Sequence, residues 1–333
     1  RQGGSFGIDN DLTSDLVQGG LSGLVKTLAH EWPNVFCRTV DLANKFGTAK
    51  VSGIIIDELS DADMSLTEVG YDGQGRLTPV GEPTDSYAIA VGDTIDEKSV
   101  FLVSGGAKGV TAHCVIRLAK QYKSKFILLG RSAYEATEPA WASGIKDVTA
   151  LKKAAMATLI AGGDKPTPVK ITQFIKPVLA NREIAATIAA ITDVGGQAAY
   201  ISVDVTDAAG VKQAVQQIIP KFGEVTGLIH GAGVLADNFI ELKSLDDFEG
   251  VYSTKIDGLL SMLSCVQQEN LRHLVLFSSA AGFYGNPGQS DYSIANEILN
   301  KTAFRFKSLH PKAQVVSVNW GPWDGGMVTP ELK

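Results

Sequence analysis

Short apolar runs that alternate with helical patterns constrain the fold of this chain more than any other feature. Six such runs lie at positions 100–103, 126–129, 198–201, 227–229, 274–277 and 315–318. A strand that is buried on both faces, as in a parallel sheet covered by helices, has this continuous apolar pattern. The repeated strand–helix–strand units predict an α/β fold with a doubly wound parallel sheet and right-handed crossovers.

Two of the intervening helices have clear start signals. One helix is predicted over residues 183–194 behind Asn181, and another over 208–219 behind Thr206 and Asp207. Side chains of these types accept hydrogen bonds from the first free N–H groups of a helix. Six strands with such helices between them suffice for a complete nucleotide-binding layer.

One long segment interrupts the regular alternation. About fifty residues separate the strand that ends near Gly130 from the helix predicted at residue 183, whereas a usual connection takes roughly 2–6 residues plus a helix. We interpret residues 134–180 as a surface insertion with a helix of its own over 148–160. A partner-docking or substrate-covering role is the alternative.

The first ninety residues follow a different pattern. The sequence predicts a helix over 12–30 that ends at Trp32-Pro33, a strand over 37–42, a second helix over 49–59 and a hairpin over 66–80. No glycine-rich phosphate loop is found in this part. We therefore expect two domains, 1–90 and 91–333, joined by a linker over 83–96. Because the chain opens on Arg1 rather than Met, we expect it to be a piece of a longer protein.

Charge and residue content exclude several classes of function. Lys and Arg number 30 against 36 Asp and Glu, a net charge of −6 that argues against nucleic-acid binding. No apolar run approaches the roughly 20 residues of a membrane helix, so no membrane association is expected. The three cysteines and five histidines are scattered, which predicts no metal site and a reducing, cytoplasmic location.

A glycine-rich turn follows the first of the six apolar runs. Gly105, Gly106 and Gly109 lie between this predicted strand and the next predicted helix. Glycine allows a tight turn and lets backbone N–H groups approach a pyrophosphate at the positive end of a helix. This position predicts nucleotide binding, and a simple tight turn is the alternative.

Residues after the second and third strands bear on which nucleotide binds. Arg131 stands where a site for NAD usually places an acidic residue, and its guanidinium suits the 2′-phosphate of NADPH. A solvated loop arginine is the alternative. Asp204 and Val205 are predicted to contact the adenine edge, unless Asp204 instead caps the following helix.

Four residues form a candidate catalytic set. Ser279 ends a buried strand, and Tyr292 and Asn296 lie one turn apart on a predicted helix. A phenol has an ordinary pKa near 10, so Tyr292 needs a nearby cation to transfer a proton at neutral pH. Lys255, on the preceding predicted helix, is the candidate for this cation. Three of these residues also have a structural explanation when each is taken alone. Tyr292 would be a packing group, Lys255 part of a solvated helix face, and Ser279 the end of a strand.

These motifs make residues 98–328 similar to the ketoreductase domains of modular polyketide synthases, a branch of the short-chain dehydrogenase/reductase superfamily. The matching stretches are 104–111, 128–132, 204–207, 230–234, 277–282, 292–296 and 319–323. Stand-alone members of the superfamily usually carry a lysine four residues after the tyrosine. Asn296 takes that place in this chain and a lysine is found at Lys255, an exchange that resembles the synthase branch.

The resemblance extends to the N-terminal part. Residues 18–42 are similar to the end of the non-catalytic structural subdomain that precedes such ketoreductases. It implies that 1–90 is part of a truncated Rossmann-like subdomain and that 91–333 is a Rossmann-like catalytic subdomain. Residues 104–111 and the insertion look most like the ketoreductase of bacterial polyunsaturated fatty acid synthases, and some polyketide synthases with separate acyltransferases are similar too.

The resemblance implies NADPH-dependent reduction of a 3-ketoacyl group on an acyl carrier protein, among neighbouring synthase domains. Tyr292 would donate the proton, Ser279 would hydrogen-bond the ketone oxygen, Lys255 would lower the pKa of the phenol, and Asn296 would position Lys255 or a relay water. The implied cofactor contacts are Ser104, Gly105, Gly106, Lys108, Gly109, Val110, Arg131, Ser132, Asp204, Val205, His230, Gly231, Ala232 and Gly233.

Departures from the family pattern concern the phosphate loop and the stereochemistry. Thr111 stands where the loop often has another glycine, which puts cofactor affinity in question. Members that form the D-alcohol usually have Leu-Asp-Asp where residues 235–237 read Leu-Ala-Asp, and the opposite class has a tryptophan at the position of Tyr284. Both features favour the D-alcohol. Residues 320–323 either border the substrate channel or pack in the core.

Two other functions stay open at this level. The first alternative is a catalytically inactive structural module of a synthase, and the second is a stand-alone dehydrogenase of small alcohols or sugars. The intact candidate catalytic set argues against the first alternative. The N-terminal fragment and the exchange between Lys255 and Asn296 argue against the second.

Overall fold

Six parallel strands form the central layer of the structure, a computed structural model that describes residues 2–8, 15–83 and 95–323. In these ranges the strands are β1 (Thr39–Leu42), β2 (Glu68–Tyr71), β3 (Arg76–Leu77), β4 (Val100–Ser104), β5 (Lys125–Gly130), β6 (Gln197–Ser202), β7 (Gly227–His230), β8 (His273–Ser279) and β9 (Gln314–Trp320). The helices are α1 (Gly20–Glu31), α2 (Thr48–Leu59), α3 (Gly109–Tyr122), α4 (Val148–Ala161), α5 (Pro168–Asp193), α6 (Ala208–Phe222), α7 (Leu245–Ser264), α8 (Ala280–Tyr284) and α9 (Ser290–Leu309).

The central sheet has the order β6-β5-β4-β7-β8-β9, and every neighbouring pair is parallel. Strand order reverses between β4 and β7, and doubly wound sheets bind ligands at the carboxyl ends of the strands beside such a point. Residues 126–129 of β5 are fully buried, which explains the continuous apolar pattern of the run. The predicted doubly wound parallel sheet of six strands is confirmed.

The helix predicted over 208–219 is found as α6, with Asp207 at its N-cap accepting a hydrogen bond from Gly210 N. The start predicted at residue 183 is wrong, because α5 already begins at Pro168. Thr167 caps this helix, a proline suits its first turn, and Pro177 is accommodated inside it. None of the helices in the described ranges has both the length and the apolarity needed to cross a membrane.

The insertion has a small hydrophobic core of its own. The predicted helix over 148–160 is confirmed as α4, which packs against the first half of α5. The buried residues of this core are Ala142, which precedes α4, Leu151 and Ala155 of α4, and Ile175 and Val178 of α5. Farther along α5, the hydroxyl of Thr187 donates a 2.9 Å hydrogen bond to the carbonyl oxygen of Ala107. The insertion is therefore continuous with a helix that touches the glycine-rich turn.

The N-terminal part contains a small sheet in which β1 pairs parallel with β2 and β2 pairs antiparallel with β3. The predicted strand, second helix and hairpin are confirmed. The first helix is shorter than predicted, since α1 begins at Gly20 after a 3₁₀ turn over Leu16–Gly19 that Asp15 caps. Residues 84–94, which hold most of the predicted linker and the proposed boundary at residue 90, lie outside the described residues.

Helix α1 packs closely against α9, which carries Tyr292. A Cβ atom at Gly23 would overlap the backbone carbonyl of Ser293, and one at Gly20 would lie 2.7 Å from Ile294 Cγ2. The two glycines therefore let the backbones of α1 and α9 approach each other next to the candidate catalytic tyrosine.

Four buried charged side chains join the two parts of the chain. Lys26 of α1 and Glu68 of β2 meet Glu297 and Lys301 of α9. The nitrogen–oxygen distances are 3.3 Å for Lys26–Glu68, 3.8 Å for Lys26–Glu297, 3.9 Å for Lys301–Glu68 and 3.0 Å for Lys301–Glu297. Each side chain is at most 8% exposed. The two positive and two negative charges balance, so each charge keeps a buried partner.

Candidate active site

A cavity of about 1150 Å³ lies at the carboxyl ends of the central strands, where strand order reverses. The predicted site residues in its wall are Gly105, Lys108, Gly109, Val110, Arg131, Ser132, Asp204, Val205, Gly231, Ala232, Gly233, Lys255, Ser279 and Tyr292. The other four predicted residues, Ser104, Gly106, His230 and Asn296, are buried behind this wall.

The glycine-rich turn has the backbone geometry of an anion-binding loop. Gly105 has φ +67° and Gly109 has φ +57°, conformations that favour glycine. A Cβ on Gly105 would lie only 3.0 Å from the carbonyl oxygen of Gly231. Helix α3 begins at Gly109, and Lys108 at its N-cap makes no side-chain hydrogen bond to the helix. The first N–H groups of α3 are thus suited to a pyrophosphate, and Thr111 also lines the cavity.

Two cations lie at one end of the cavity wall. Lys108 Nζ donates a 2.8 Å hydrogen bond to Ser132 Oγ, and Arg131 is exposed beside them. Burial lowers the pKa of Lys108, while the nearby carboxylate of Glu183 raises it. A guanidinium, an amine and a hydroxyl together are suited to hold a phosphate group.

Asp204 and Val205 also line the cavity. Asp204 Oδ1 accepts hydrogen bonds from the backbone nitrogen of Thr206 at 3.0 Å and from its hydroxyl at 2.8 Å. The helix cap belongs to Asp207 instead, so the alternative that Asp204 caps α6 is wrong. Contact of these two residues with adenine stays a prediction.

His230 is completely buried and makes a hydrogen bond at each ring nitrogen. Its Nδ1 lies 2.8 Å from Ser104 Oγ, and its Nε2 lies 2.8 Å from the backbone carbonyl oxygen of Lys255. Since a carbonyl only accepts, Nε2 donates and Nδ1 accepts the serine proton. Burial, together with the charge of Lys255, lowers the pKa of His230 to about 3. Ser104 thus bonds His230, which in turn bonds the backbone of Lys255. Gly106 packs against Val103, and contact of these three residues with the cofactor stays a prediction.

Ser279 and Tyr292 meet at the cavity wall. Ser279 ends β8, where its Oγ accepts a 3.1 Å hydrogen bond from Ala281 N and caps α8. Tyr292 lies in the first turn of α9. Burial raises the pKa of Tyr292 above its ordinary value, and hydrogen bonding by Asn296 and Ser279 opposes this rise.

Lys255 comes to Tyr292 from α7. Its Nζ lies 5.3 Å from the centroid of the Tyr292 ring and donates a 2.8 Å hydrogen bond to the carbonyl oxygen of Phe277. Burial lowers the pKa of Lys255 to about 7. Asn296 and Ser279 are the neighbours that lower the pKa of Tyr292 in this arrangement, and the expected lowering by Lys255 stays a prediction.

Asn296 is fully buried one helical turn after Tyr292. Its Nδ2 donates a 2.8 Å hydrogen bond to the backbone carbonyl oxygen of Tyr292. Its Oδ1 is buried and accepts no hydrogen bond from the described residues. Asn296 therefore has one free acceptor beside the candidate catalytic set.

An ion pair that was not predicted from the sequence fixes the start of α9. Lys243 Nζ lies 2.9 Å from Asp291 Oδ2 and also donates a 2.7 Å hydrogen bond to the carbonyl oxygen of Ala236. Asp291 Oδ1 in turn accepts a 2.8 Å hydrogen bond from the backbone nitrogen of Tyr292. The position of Asp291 beside Tyr292 was an available signal, whereas nothing in the sequence indicated Lys243.

The remaining walls come from two loops and the end of β9. Leu235 and Asp237 of one loop line the cavity, as do Tyr284, Gly285, Asn286 and Gln289 of the other. Trp320 and residues 321–323 also line it, and the Trp320 ring packs 5.5 Å from that of Phe277. The tryptophan thus both borders the cavity and packs in the core. No group of three or more side chains suited to a metal ion occurs in the described ranges.

Comparison with known proteins gives consistent matches. The family model described as "KR domain" matches residues 99–325. One chain of a polyunsaturated fatty acid synthase from Thraustochytrium sp. is 43% identical over 326 residues, which cover 95% of this chain. Polyketide synthase PksL of Bacillus subtilis is 34% identical over 314 residues, or 92% of this chain.

Solved structures match the fold over almost the whole chain. A structure of A-type ketoreductases from a modular polyketide synthase superimposes with a TM-score of 0.72 at 23% identity, covering 97% of this chain and 58% of that one. A ketoreductase domain from the bacillaene assembly line gives a TM-score of 0.69 at 22% identity, covering 95% and 65%.

The chain spans only a small part of its curated relatives, 12% of the Thraustochytrium protein and 6% of PksL. The family model nevertheless covers most of the chain. Its match includes every strand of the central sheet and every residue that lines the cavity. The central sheet also has the doubly wound, Rossmann-like topology of the short-chain dehydrogenase/reductase fold. This chain therefore belongs to the KR domain family, the ketoreductase domains of polyunsaturated fatty acid and polyketide synthases.

Proposed function

We propose that this domain reduces the 3-ketoacyl group of an acyl carrier protein thioester to the 3-hydroxyacyl group, using NADPH. One observation supports this function above all. Ser279, Tyr292 and Lys255 line the same cavity as the glycine-rich turn that suits a pyrophosphate. A ketone in this cavity would lie between a proton donor and the dinucleotide site.

The chemical roles follow from the positions of the side chains. Bound NADPH supplies the hydride to the ketone carbon. Tyr292 holds a proton on its phenolic oxygen at the cavity wall and is the general acid for the ketone oxygen. Ser279 hydrogen-bonds the same ketone oxygen and orients it toward Tyr292.

Lys255 supports Tyr292 during proton transfer. The phenol becomes an anion when it loses its proton, and a nearby ammonium stabilises that anion in a site of low dielectric. His230 holds the backbone carbonyl of Lys255 and thereby the position of its side chain. Asn296, with a free buried acceptor, is suited to a relay water or to the lysine amine.

NADPH is preferred over NADH in this proposal. Arg131 and Lys108 place two cations at the end of the cavity where the adenosine ribose is expected. A doubly charged 2′-phosphate gains charge-assisted hydrogen bonds there, and a bare ribose hydroxyl does not.

The product we propose is the D-alcohol. Asp237, the acid that residues 235–237 keep from the family pattern, lines the cavity and accepts a 3.0 Å hydrogen bond from Gln289 Nε2. Tyr284 holds the position at which the opposite class has tryptophan. The partners we propose are an acyl carrier protein and the neighbouring domains of a synthase in the cytoplasm, and the three free cysteines suit that compartment.

The test is a reduction assay with matched substrates. The protein is mixed with NADPH and a 3-ketoacyl group attached either to acyl carrier protein or to a free pantetheine thioester, and NADPH consumption and the hydroxyl product are measured. We expect turnover with both substrates, and a higher kcat/KM with the carrier-bound one. Equal kcat/KM for carrier-bound and free substrates would favour a stand-alone dehydrogenase. An unchanged NADPH fluorescence on mixing would indicate an inactive structural module.

A further inference from the structure

The carboxylate of Glu31 contacts two separate loops of the catalytic part. Glu31 is the last residue of α1, in the N-terminal part of the chain. Its Oε2 accepts a 2.8 Å hydrogen bond from the backbone nitrogen of Ile240, and its Oε1 accepts a 2.8 Å hydrogen bond from the backbone nitrogen of Gly288. One side chain therefore bridges two segments that are far apart in sequence.

Both segments form walls of the cavity close to Tyr292. The first loop, residues 235–240, contributes Leu235 and Asp237, and the second loop, residues 284–289, contributes Tyr284 and Gln289. The loops also bond each other directly. Asn238 N donates to the carbonyl oxygen of Gly288 at 2.8 Å, and Gln289 Nε2 donates to Asp237 at 3.0 Å. The two loops therefore form one continuous part of the wall of the cavity that Tyr292 also lines.

Helix α1 supports the second loop at further points. His30 Nε2 lies 3.0 Å from the carbonyl oxygen of Tyr284. A Cβ on Gly285, which has φ +75°, would lie 2.6 Å from the carbonyl carbon of Lys26. The C-terminal end of α1 thus packs behind the second loop, and Glu31 at this end also contacts the first loop.

The stability of α1 does not explain a glutamate at this position. A carboxylate in the last turn of a helix is unfavourable, because the C-terminal end carries a partial negative charge. Two backbone N–H groups from the loops offset that charge, and hydrogen bonds to an ionised acceptor are stronger than those between neutral groups. The placement of Glu31 is therefore explained by the loops that it holds.

We propose that Glu31 is a positioning residue for the ketoacyl substrate. Its carboxylate holds the first and second loops at a fixed separation, which determines how the ketone is oriented when it reaches Tyr292. The inference rests on the proposed function, since it concerns the substrate side of that site. The N-terminal part of the chain then contributes directly to substrate recognition, although its described residues include neither a phosphate loop nor a candidate catalytic set.

The variants Glu31→Gln and Glu31→Ala test this role. Glutamine keeps one acceptor oxygen and loses the other, whereas alanine loses both. With a 3-ketoacyl pantetheine thioester we expect KM to rise about tenfold in Glu31→Ala and less in Glu31→Gln. We also expect the ratio of the two hydroxyl enantiomers to fall, and the dissociation constant of NADPH to stay within about twofold of the wild-type value. Glu97→Gln, an exposed glutamate before β4, is the matched control.

Amide hydrogen exchange provides a readout that does not depend on turnover. The backbone amides of Ile240 and Gly288 should exchange faster in both Glu31 variants and at the wild-type rate in Glu97→Gln. Unchanged exchange, or a lower kcat with the KM and enantiomer ratio of the wild type, would overturn the inference. A wild-type protein that reduces no ketoacyl thioester would instead overturn the proposed function, and the exchange rates would then decide alone whether Glu31 holds the loops.

Discussion

The buried amine of Lys255 lies over the ring of Tyr292, with its nitrogen 5.3 Å from the ring centroid. Burial lowers the pKa of the lysine to about 7 and raises the pKa of the phenol. The amine therefore gives up its proton more readily than an exposed lysine does. An anion in the cavity, such as a tyrosinate, shifts the amine towards ammonium, so the protons of the two residues are linked.

Replacement of Tyr292 by Phe removes the phenolic proton and keeps the ring that packs against Lys255. We expect kcat/KM for a 3-ketoacyl thioester to fall by about 10²- to 10⁴-fold, because a general acid contributes about that much. The dissociation constant of NADPH, measured by fluorescence, should not change. Tyr122→Phe at the end of α3 is the control and should keep wild-type activity. Wild-type turnover in Tyr292→Phe would contradict the role of the phenol as proton donor.

The pKa of Lys255 predicts a pH-dependent stability. The folded protein holds this pKa near 7, below the unfolded value of about 10, so the unfolded chain binds the proton more tightly between these limits. The free energy of unfolding therefore gains from this group as pH rises through that interval. Relative to Lys255→Met, the wild-type protein should gain roughly 2 kcal/mol between pH 7 and pH 9 in urea denaturation.

The control for this measurement is Lys152→Met, an exposed position on α4. The difference in unfolding free energy between this variant and the wild type should not change with pH. If the difference in unfolding free energy between the wild type and Lys255→Met is also independent of pH, the low pKa of Lys255 is wrong.

Replacement of Arg131 by Ala should change the choice of cofactor. A guanidinium that binds a 2′-phosphate contributes charge-assisted hydrogen bonds, so we expect NADPH affinity to fall about 10- to 100-fold. NADH affinity should stay within about twofold, since NADH has no phosphate there. Titrations of both cofactors measure the effect, with Arg117→Ala on the exposed side of α3 as the control. A preference for NADPH equal to that of the wild type would exclude Arg131 from phosphate binding.

The buried cluster between the two parts of the chain should be sensitive to loss of one charge. Glu297→Ala leaves Lys26 and Lys301 with a single carboxylate, and an unpaired buried charge costs about 3–5 kcal/mol. The free energy of unfolding should fall by about that amount in urea. Glu269→Ala, at an exposed position, should have a small effect. A similar small effect of Glu297→Ala would mean that the cluster does not hold the two parts together.

Local patterns in the sequence predicted the central sheet and the glycine-rich turn. Buried parallel strands produce continuous apolar runs, as at residues 126–129, and a tight turn that approaches other backbone needs glycine, as at Gly105. The start of α5 was not predicted correctly. Pro177 suggests a helix end by its type, but the packing of α4 against α5 and the cap at Thr167 keep the longer helix.

Residues close together in the chain encode the fold class, the strands and the residue types of the candidate site, so each of these could be predicted from the order of residues. Three other features follow from the tertiary structure alone: Lys255 reaches the ring of Tyr292, His230 lies behind the cavity, and Glu31 bonds the backbone of two distant loops. The reason is physical. Burial, hydrogen-bond partners and pKa shifts depend on which distant segments pack together, and that packing has no local signature in the order of residues.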